Sequence, residues 1–189
     1  MKIFQNDIVG YIGEKYTANL FKKNCTGFIF TDVYVNGSHG VQQIDIIAVT
    51  PKGVIVIEKK TYIGLIVGRA YDKQWKIYTG RGKQKFSMKN PHHQNYGHIQ
   101  ALLENFPQMK DKTIDLVVFG NNAKLGEGIP NGTICDANIN EFYKRLPNIL
   151  DSQQIKCFAQ LITELNLNRA TNKRIHKKKI RKIKKSYKF

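Results

Sequence analysis

Ile and Val crowd into two short runs in the first third of the chain, Gln43-Ile44-Asp45-Ile46-Ile47-Ala48-Val49 and Val54-Ile55-Val56-Ile57-Glu58-Lys59-Lys60, joined by Thr50-Pro51-Lys52-Gly53. β-branched runs bounded by a Pro-x-Gly turn read as the two strands of a hairpin. Ahead of them, Ile8, Tyr11, Ile12, Lys15, Tyr16 and Leu20 fall at helical spacing, which predicts a helix over about residues 7–23 with Asn6 or Asp7 as its N-cap. Phe28 to Val35 alternates as a strand. Gly64–Gly68, Trp75–Tyr78 and Gln84–Met88 read as shorter strands, the last two joined by a basic Gly80-Arg81-Gly82-Lys83 turn. Pro91 suits the first turn of a helix running to about Phe106. Ile114 to Phe119 reads as a buried strand, and residues 140–150 and 152–167 as two C-terminal helices. The order is α/β, without internal repeats.

Charged residues interrupt the hairpin at matched places. If the turn closes with Val49 opposite Val54, Asp45 comes to lie opposite Glu58. Side chains so placed are roughly 5 Å apart at Cβ, where two carboxylates repel unless something positive lies between them. Strand alternation puts Lys60 on the face of Glu58 and turns Lys59 away from it. Two carboxylates and an ammonium converging on one spot suit a divalent cation, since Mg²⁺ takes oxygen ligands and keeps waters that a substrate phosphate can replace. Such a cation lowers the pKa of a bound water and stabilises charge on phosphate oxygens, and a lysine beside it orients the water or neutralises the same charge. The competing reading is a hairpin whose acids are salt-bridged to neighbouring lysines. The penalty for burying unpaired charge favours the site.

Charge changes the picture further. The formal net charge is +17 over 189 residues, and residues 169–189 hold eleven Lys or Arg and no acid. The body is mildly basic and the tail strongly so. A concentrated cationic field attracts polyanions, nucleic acid first and anionic membrane second, while a merely solvated tail is the plain alternative. A thin apolar stripe of Ile175, Ile180, Ile183 and Tyr187 buries too little area to favour a membrane surface. A 41% hydrophobic content supports a globular body. No stretch reaches membrane-span length and the N-terminus lacks a signal-peptide core, so a soluble, cytoplasmic chain is expected. Cys25, Cys135 and Cys157 form no metal-ligand pattern and read as core thiols.

Gly13-Glu14 on the first helix, Gln43-Ile44-Asp45, the run Gly53 to Lys60 with Gly64 beyond, Trp75, and Asn90-Pro91-His92-His93-Gln94 together resemble the nuclease-related domain (NERD) family, placed within the PD-(D/E)xK nuclease superfamily. The resemblance covers roughly residues 7–120. It implies a restriction-endonuclease-like fold, a central mixed β-sheet flanked by helices, with a nuclease centre dependent on Mg²⁺ or Mn²⁺. Asp45 and Glu58 would be metal ligands and Lys60 the catalytic lysine. Glu14 would match the acidic helix residue that completes many such sites as a third metal ligand, and Gln94 the helix glutamine facing the same centre. The middle position of Glu-x-Lys is usually apolar and here is Lys59, so its far face is expected to be an edge or partly wet. Alternation favours Lys60 over Lys59 as the functional lysine.

The expected organisation is a nuclease-related domain over 1–125, a C-terminal helical extension over 126–168, and a basic tail over 169–189. Nucleic acid, DNA in preference to RNA, is the expected partner, with backbone contacts from Arg81, Lys83, Lys173, Arg174, Lys177, Lys178, Lys179, Arg181, Lys182, Lys184 and Lys185. A homo-oligomer is compatible with the sequence. The alternative function is a module that grips nucleic acid without cutting it. His92, His93 and His98 lack partners for a zinc site and read as helix-surface residues. Trp75 and Tyr96 read as core or cleft aromatics.

Overall fold

The computed structural model describes the backbone of residues 2–80 and 82–186, and side chains over 8–80 and 82–181. It is an α/β fold of two mixed sheets flanked by helices. Helix α1 (Lys2–Asn24) precedes strands β1 (Phe28–Gly37), β2 (Gly40–Thr50) and β3 (Gly53–Lys60). Short strands β4 (Gly64–Val67), β5 (Gln74–Thr79) and β6 (Gln84–Lys89) lead to helix α2 (Pro91–Asn105), and β7 (Thr113–Phe119), β8 (Ala123–Leu125) and β9 (Thr133–Cys135) follow. Helices α3 (Ile139–Arg145), α4 (Ser152–Asn166) and α5 (Arg169–Ser186) complete the chain.

The main sheet runs β1-β2-β3-β7-β9, with β1, β2 and β3 antiparallel and β3, β7 and β9 parallel. The predicted turn closes as expected, Val49 pairing with Val54 and Thr50 with Gly53. The short strands form a sheet of their own, ordered β6-β5-β4-β8, instead of widening the main one. Gly64 explains the departure. Its φ of +111° swings the chain out of the β3 direction, and the peptide oxygen of Tyr78 lies where a Cβ would stand.

The main sheet is buried on both faces. Val54 and Val56 pack with Ile47, Leu102, Phe158 and Ile162 towards α2 and α4, while Ile55 and Ile57 pack with Ala18, Phe21 and Ile139 towards α1 and α3. Helix α1 begins at Lys2, so Asn6 and Asp7 lie inside it and not at its N-cap position. Helix α3 stops at Arg145, short of the expected Leu150. Leu146 precedes Pro147, which excludes the helical backbone, and it is extended at φ −73°, ψ 139°. The segment expected to be a helical extension also supplies β9, which pairs with β7.

Lys59 corrects the sequence reading most clearly. It lies on a central strand with its side chain 1% exposed, and its Nζ donates to Asp136 Oδ2 at 2.6 Å. Thr17 Oγ1 donates to the other oxygen of Asp136 at 2.6 Å. The far face is thus dry and charge-paired, linking α1, β3 and the turn after β9. Burial pulls the Lys59 pKa down and Asp136 works against it. The thiols also differ from expectation, since Cys25 is buried but Cys157 is exposed.

Removing one member of the Lys59–Asp136 pair should strand a buried charge. Asp136→Ala should therefore lose about 3–5 kcal/mol in urea denaturation, and combining it with Lys59→Met should recover most of that loss. Equal destabilisation by the single and double variants would contradict a paired buried charge.

Candidate active site

The site forms where the β2–β3 ladder ends. The last pair is Ile46 with Ile57, and the next residues in that register are Asp45 and Glu58. Instead of continuing the ladder, Asp45 turns its side chain to the backbone, and its Oδ2 accepts the Lys59 N–H at 2.9 Å. Glu58 is 1% exposed. Its Oε1 accepts from Lys60 Nζ at 2.5 Å, and Lys60 Nζ also donates to Gln94 Oε1 at 3.1 Å. The alternation that places Glu58 and Lys60 together and Lys59 on the opposite face is the one the sequence predicts.

Local sequence explains how the other groups arrive. Gly13 lies so close to Thr61 that a Cβ there would fall 2.3 Å from Thr61 Cγ2, so the absence of a side chain lets α1 approach the end of β3. That approach brings Glu14 into the cavity lined by Asp45, Glu58 and Lys60. Asn90 accepts from the His92 N–H at the start of α2 and donates to the carbonyls of Ala70 and Asp72. The start of the helix carrying Gln94 is thereby fixed to the β4–β5 loop. Further along, Asn95 donates to Val56 O and to Asp115, and His92 bridges Asp115 and Thr133. These contacts fix α2 against β3, β7 and β9.

Three further residues join the centre that the sequence did not assign to it. Asp32 sits between Thr31, paired with Ile46, and Val33, paired with Ile44, which places it beside Asp45 in register. Its φ of +55° is left-handed, a conformation uncommon outside glycine, asparagine and aspartate. His98 is buried, not a surface residue, and its Nδ1 stands 3.3 Å from Glu58 Oε2. It lies one helical turn after Gln94, a spacing that marks a shared face. His176 of α5 lines the same cavity, its ring against Tyr34 and its Nδ1 3.0 Å from Val41 O.

The electrostatics are those of crowded acids. Burial, then the charge of Asp45, pushes the Glu58 pKa up to about 8, with Glu14 adding to the rise. Burial raises Asp45 as well. Glu14 rises to about 7 through burial, then Asp45 and Asp32. Burial works against the Lys60 ammonium, but Glu58 and Asp45 outweigh it and its pKa is raised. His98 falls to about 4 through burial, then Lys60, then His176, and is neutral at pH 7. For Asp32, burial opposes ionisation, but hydrogen bonds from Lys173, Arg169 and Tyr34 prevail and hold it below the usual carboxylate range.

Glu58 Oε2 is a buried oxygen that accepts no hydrogen bond from the described residues, His98 Nδ1 standing 3.3 Å away without aligning to donate. Among the described residues, no three His, Cys, Asp or Glu side chains gather closely enough to hold a metal by themselves. Asp45 and Glu58 nevertheless match what a hard divalent cation asks of a protein that leaves the remaining positions to water and phosphate. The orphaned oxygen and the raised pKa values both mark a place short of positive charge.

The basic tail is a helix laid over this site. Arg169 and Lys173 pair with Asp32 Oδ2 at 2.7 and 2.8 Å, and Lys179 Nζ donates to His39 O at 2.5 Å. Lys173, Lys177 and Arg181 line the cavity holding Glu14, Asp45, Glu58 and Lys60. Arg174 and Lys178 are exposed and line neither this cavity nor the one beside it, and the same is true of Lys83 on the β5–β6 turn. Arg81 lies outside the described residues, as do the side chains of Lys182, Lys184 and Lys185. Among the described residues no helix is long and apolar enough to cross a membrane.

A protein of Bacillus anthracis described only as uncharacterized is 35% identical over 96 residues, which make up 49% of this chain and 44% of that protein. The chain thus spans less than half the length of that relative. No solved structure matches. The model of the nuclease-related domain family matches residues 9–120, from α1 through the end of β7. That span is more than half of the chain and carries Glu14, Asp45, Glu58, Lys60 and Gln94, and the chain belongs to the nuclease-related domain family.

Proposed function

We propose that this protein is a Mg²⁺- or Mn²⁺-dependent nuclease that hydrolyses phosphodiester bonds of nucleic acid, DNA in preference to RNA. The observation that carries the reading is the buried Glu58 Oε2 beside Asp45, which accepts no hydrogen bond from the described residues, with Lys60 on the other Glu58 oxygen. Asp45 and Glu58 would hold the cation, with Glu14 close by in the same cavity. When bound, a divalent cation supplies positive charge for the phosphate oxygens and acidifies a water. Lys60 neutralises charge developing on the phosphate, and Gln94 keeps its ammonium from swinging away. Neutral His98 stands behind Glu58, its Nδ1 3.3 Å from Oε2, and adds no positive charge that would oppose the cation. The tail helix adds cations for the phosphate backbone.

A second reading, a module that grips nucleic acid without cutting, draws on the ammonium of Lys60 already sitting on Glu58. The two readings part on activity. Asp45→Asn and Glu58→Gln each keep the side-chain shape while removing a charged ligand, so each should abolish Mg²⁺-dependent cleavage of labelled DNA and leave binding intact. Lys60→Ala should lower the rate about tenfold to a hundredfold, the scale for one preorganised electrostatic group. Cleavage undiminished in the purified Asp45→Asn and Glu58→Gln proteins would remove the centre. A wild type that cuts no substrate would favour the binding module.

The crowded acids also predict a pH signature. Glu58 and Glu14 have folded pKa values of about 8 and 7 against an ordinary 4.5. Between those values the folded chain binds more protons than the unfolded one, so stability should fall as pH rises through that window. A cation binds the deprotonated cluster, so the rise in Tm on adding Mg²⁺ should be larger near pH 8 than near pH 5. Differential scanning fluorimetry reads both. The same Mg²⁺ increment in the double variant Asp45→Asn, Glu58→Gln would place the cation elsewhere.

A further inference from the structure

Two cavities, of about 810 and 850 Å³, lie under helix α5 and share Gln43, Asp45, Gln94, His176 and Ile180 as lining residues. Asp45, Gln43 and Gln94 belong to the body, while His176 and Ile180 belong to α5. The two spaces therefore abut beneath the helix, with Asp45 at their junction. One continues past Glu14 to the exposed Tyr11, the other past His93 to Lys73 and Lys89. Lys177 and Arg181 line the roof of the first, one turn apart, with neither in an ion pair among the described residues.

We propose that α5 closes the cleft into a channel for a single strand of nucleic acid, and that single-stranded DNA or RNA segments, not intact duplex, are what the centre receives. This rests on the nuclease reading for the chemistry but not for the fit. Each cavity has the volume of a small-ligand cleft, enough for roughly one to three nucleotides and too little for a double helix. Single-strand binders combine a cationic groove that tracks the backbone with an aromatic side chain on which a base stacks. Here Lys177 and Arg181 face the acids across the channel, and Tyr11 stands at one mouth. Asp32 keeps the roof down by accepting from both Arg169 and Lys173. The tail is thus a specificity element more than a general anchor, because a helix held over the acids limits what can reach them.

The experiment uses the full chain carrying Asp45→Asn, with fluorescence anisotropy on a short single-stranded DNA and on its blunt duplex. The single strand should bind at least about tenfold more tightly. Adding Asp32→Asn, which keeps shape and tolerates the left-handed backbone, should loosen the roof and erode that preference. Adding Lys177→Ala with Arg181→Ala should weaken single-strand binding and flatten its log-log salt dependence by about 0.7 per residue. Duplex binding as tight as or tighter than single-strand binding overturns the channel, as does failure to bind either. A preference untouched by both sets of changes overturns the role of α5. If the wild type cuts nothing yet the preference and its sensitivity to α5 hold, the nuclease reading falls and the channel stands.

Discussion

A strand with neighbours on both sides and helices over both faces has no place for an uncompensated charge, yet β3 ends in Glu58-Lys59-Lys60. Alternation divides the problem in two. Lys59 goes to the α1 side, where Asp136 and Thr17 wait, and Glu58 goes to the α2 side with Lys60 folded back on it. Much of the architecture serves these two compensations. Gly13 draws α1 close, Asn90 and Asn95 fix α2, and β9 delivers the turn that holds Asp136. The site is the half of the arrangement left incomplete, with one Glu58 oxygen accepting no hydrogen bond from the described residues.

In the cavity that holds that oxygen the structure concentrates negative charge and then limits how it can be relieved. Asp45, Glu14 and Asp32 line the same cavity, and they are treated differently. Asp32 is neutralised by α5, Asp45 is tied to the backbone N–H of Lys59, and Glu14 is half-buried with its ionisation discouraged. His98 is kept neutral by the same burial that raises the acids. A cation arriving at Asp45 and Glu58 would relieve a repulsion that protein groups relieve only in part, which is how a site gains affinity without a full cage of ligands.

The hairpin, its register and the separation of Lys59 from Lys60 were legible because a two-residue period and a Pro-x-Gly turn are local signals. Gln94 was legible through its family motif. His98 had a local signal too, lying one turn beyond Gln94, but helical spacing says that two residues share a face and not what the face meets. Lys59 and Asp32 lay beyond local reasoning. The counter-ion of Lys59 is 77 residues away, in a turn after a three-residue strand, and that of Asp32 is on the last helix. The stripe Lys173, Lys177, Arg181 is readable at i, i+4, i+8, but its destination depends on Asp32. Long-range charge pairing is the part a linear pattern cannot display.

The Lys59–Asp136 pair has a consequence for how this domain can be inherited. The family match ends at residue 120, but Asp136 and β9 lie past it, and β9 covers the β7 edge. A shuffled or transplanted segment ending at the match would carry an unpaired strand edge and a lysine marooned in the core. Modularity here therefore extends at least to Asp136. A lineage that replaced the middle residue of Glu-x-Lys with an apolar one would be released from that requirement, and its downstream region would be freer to diverge.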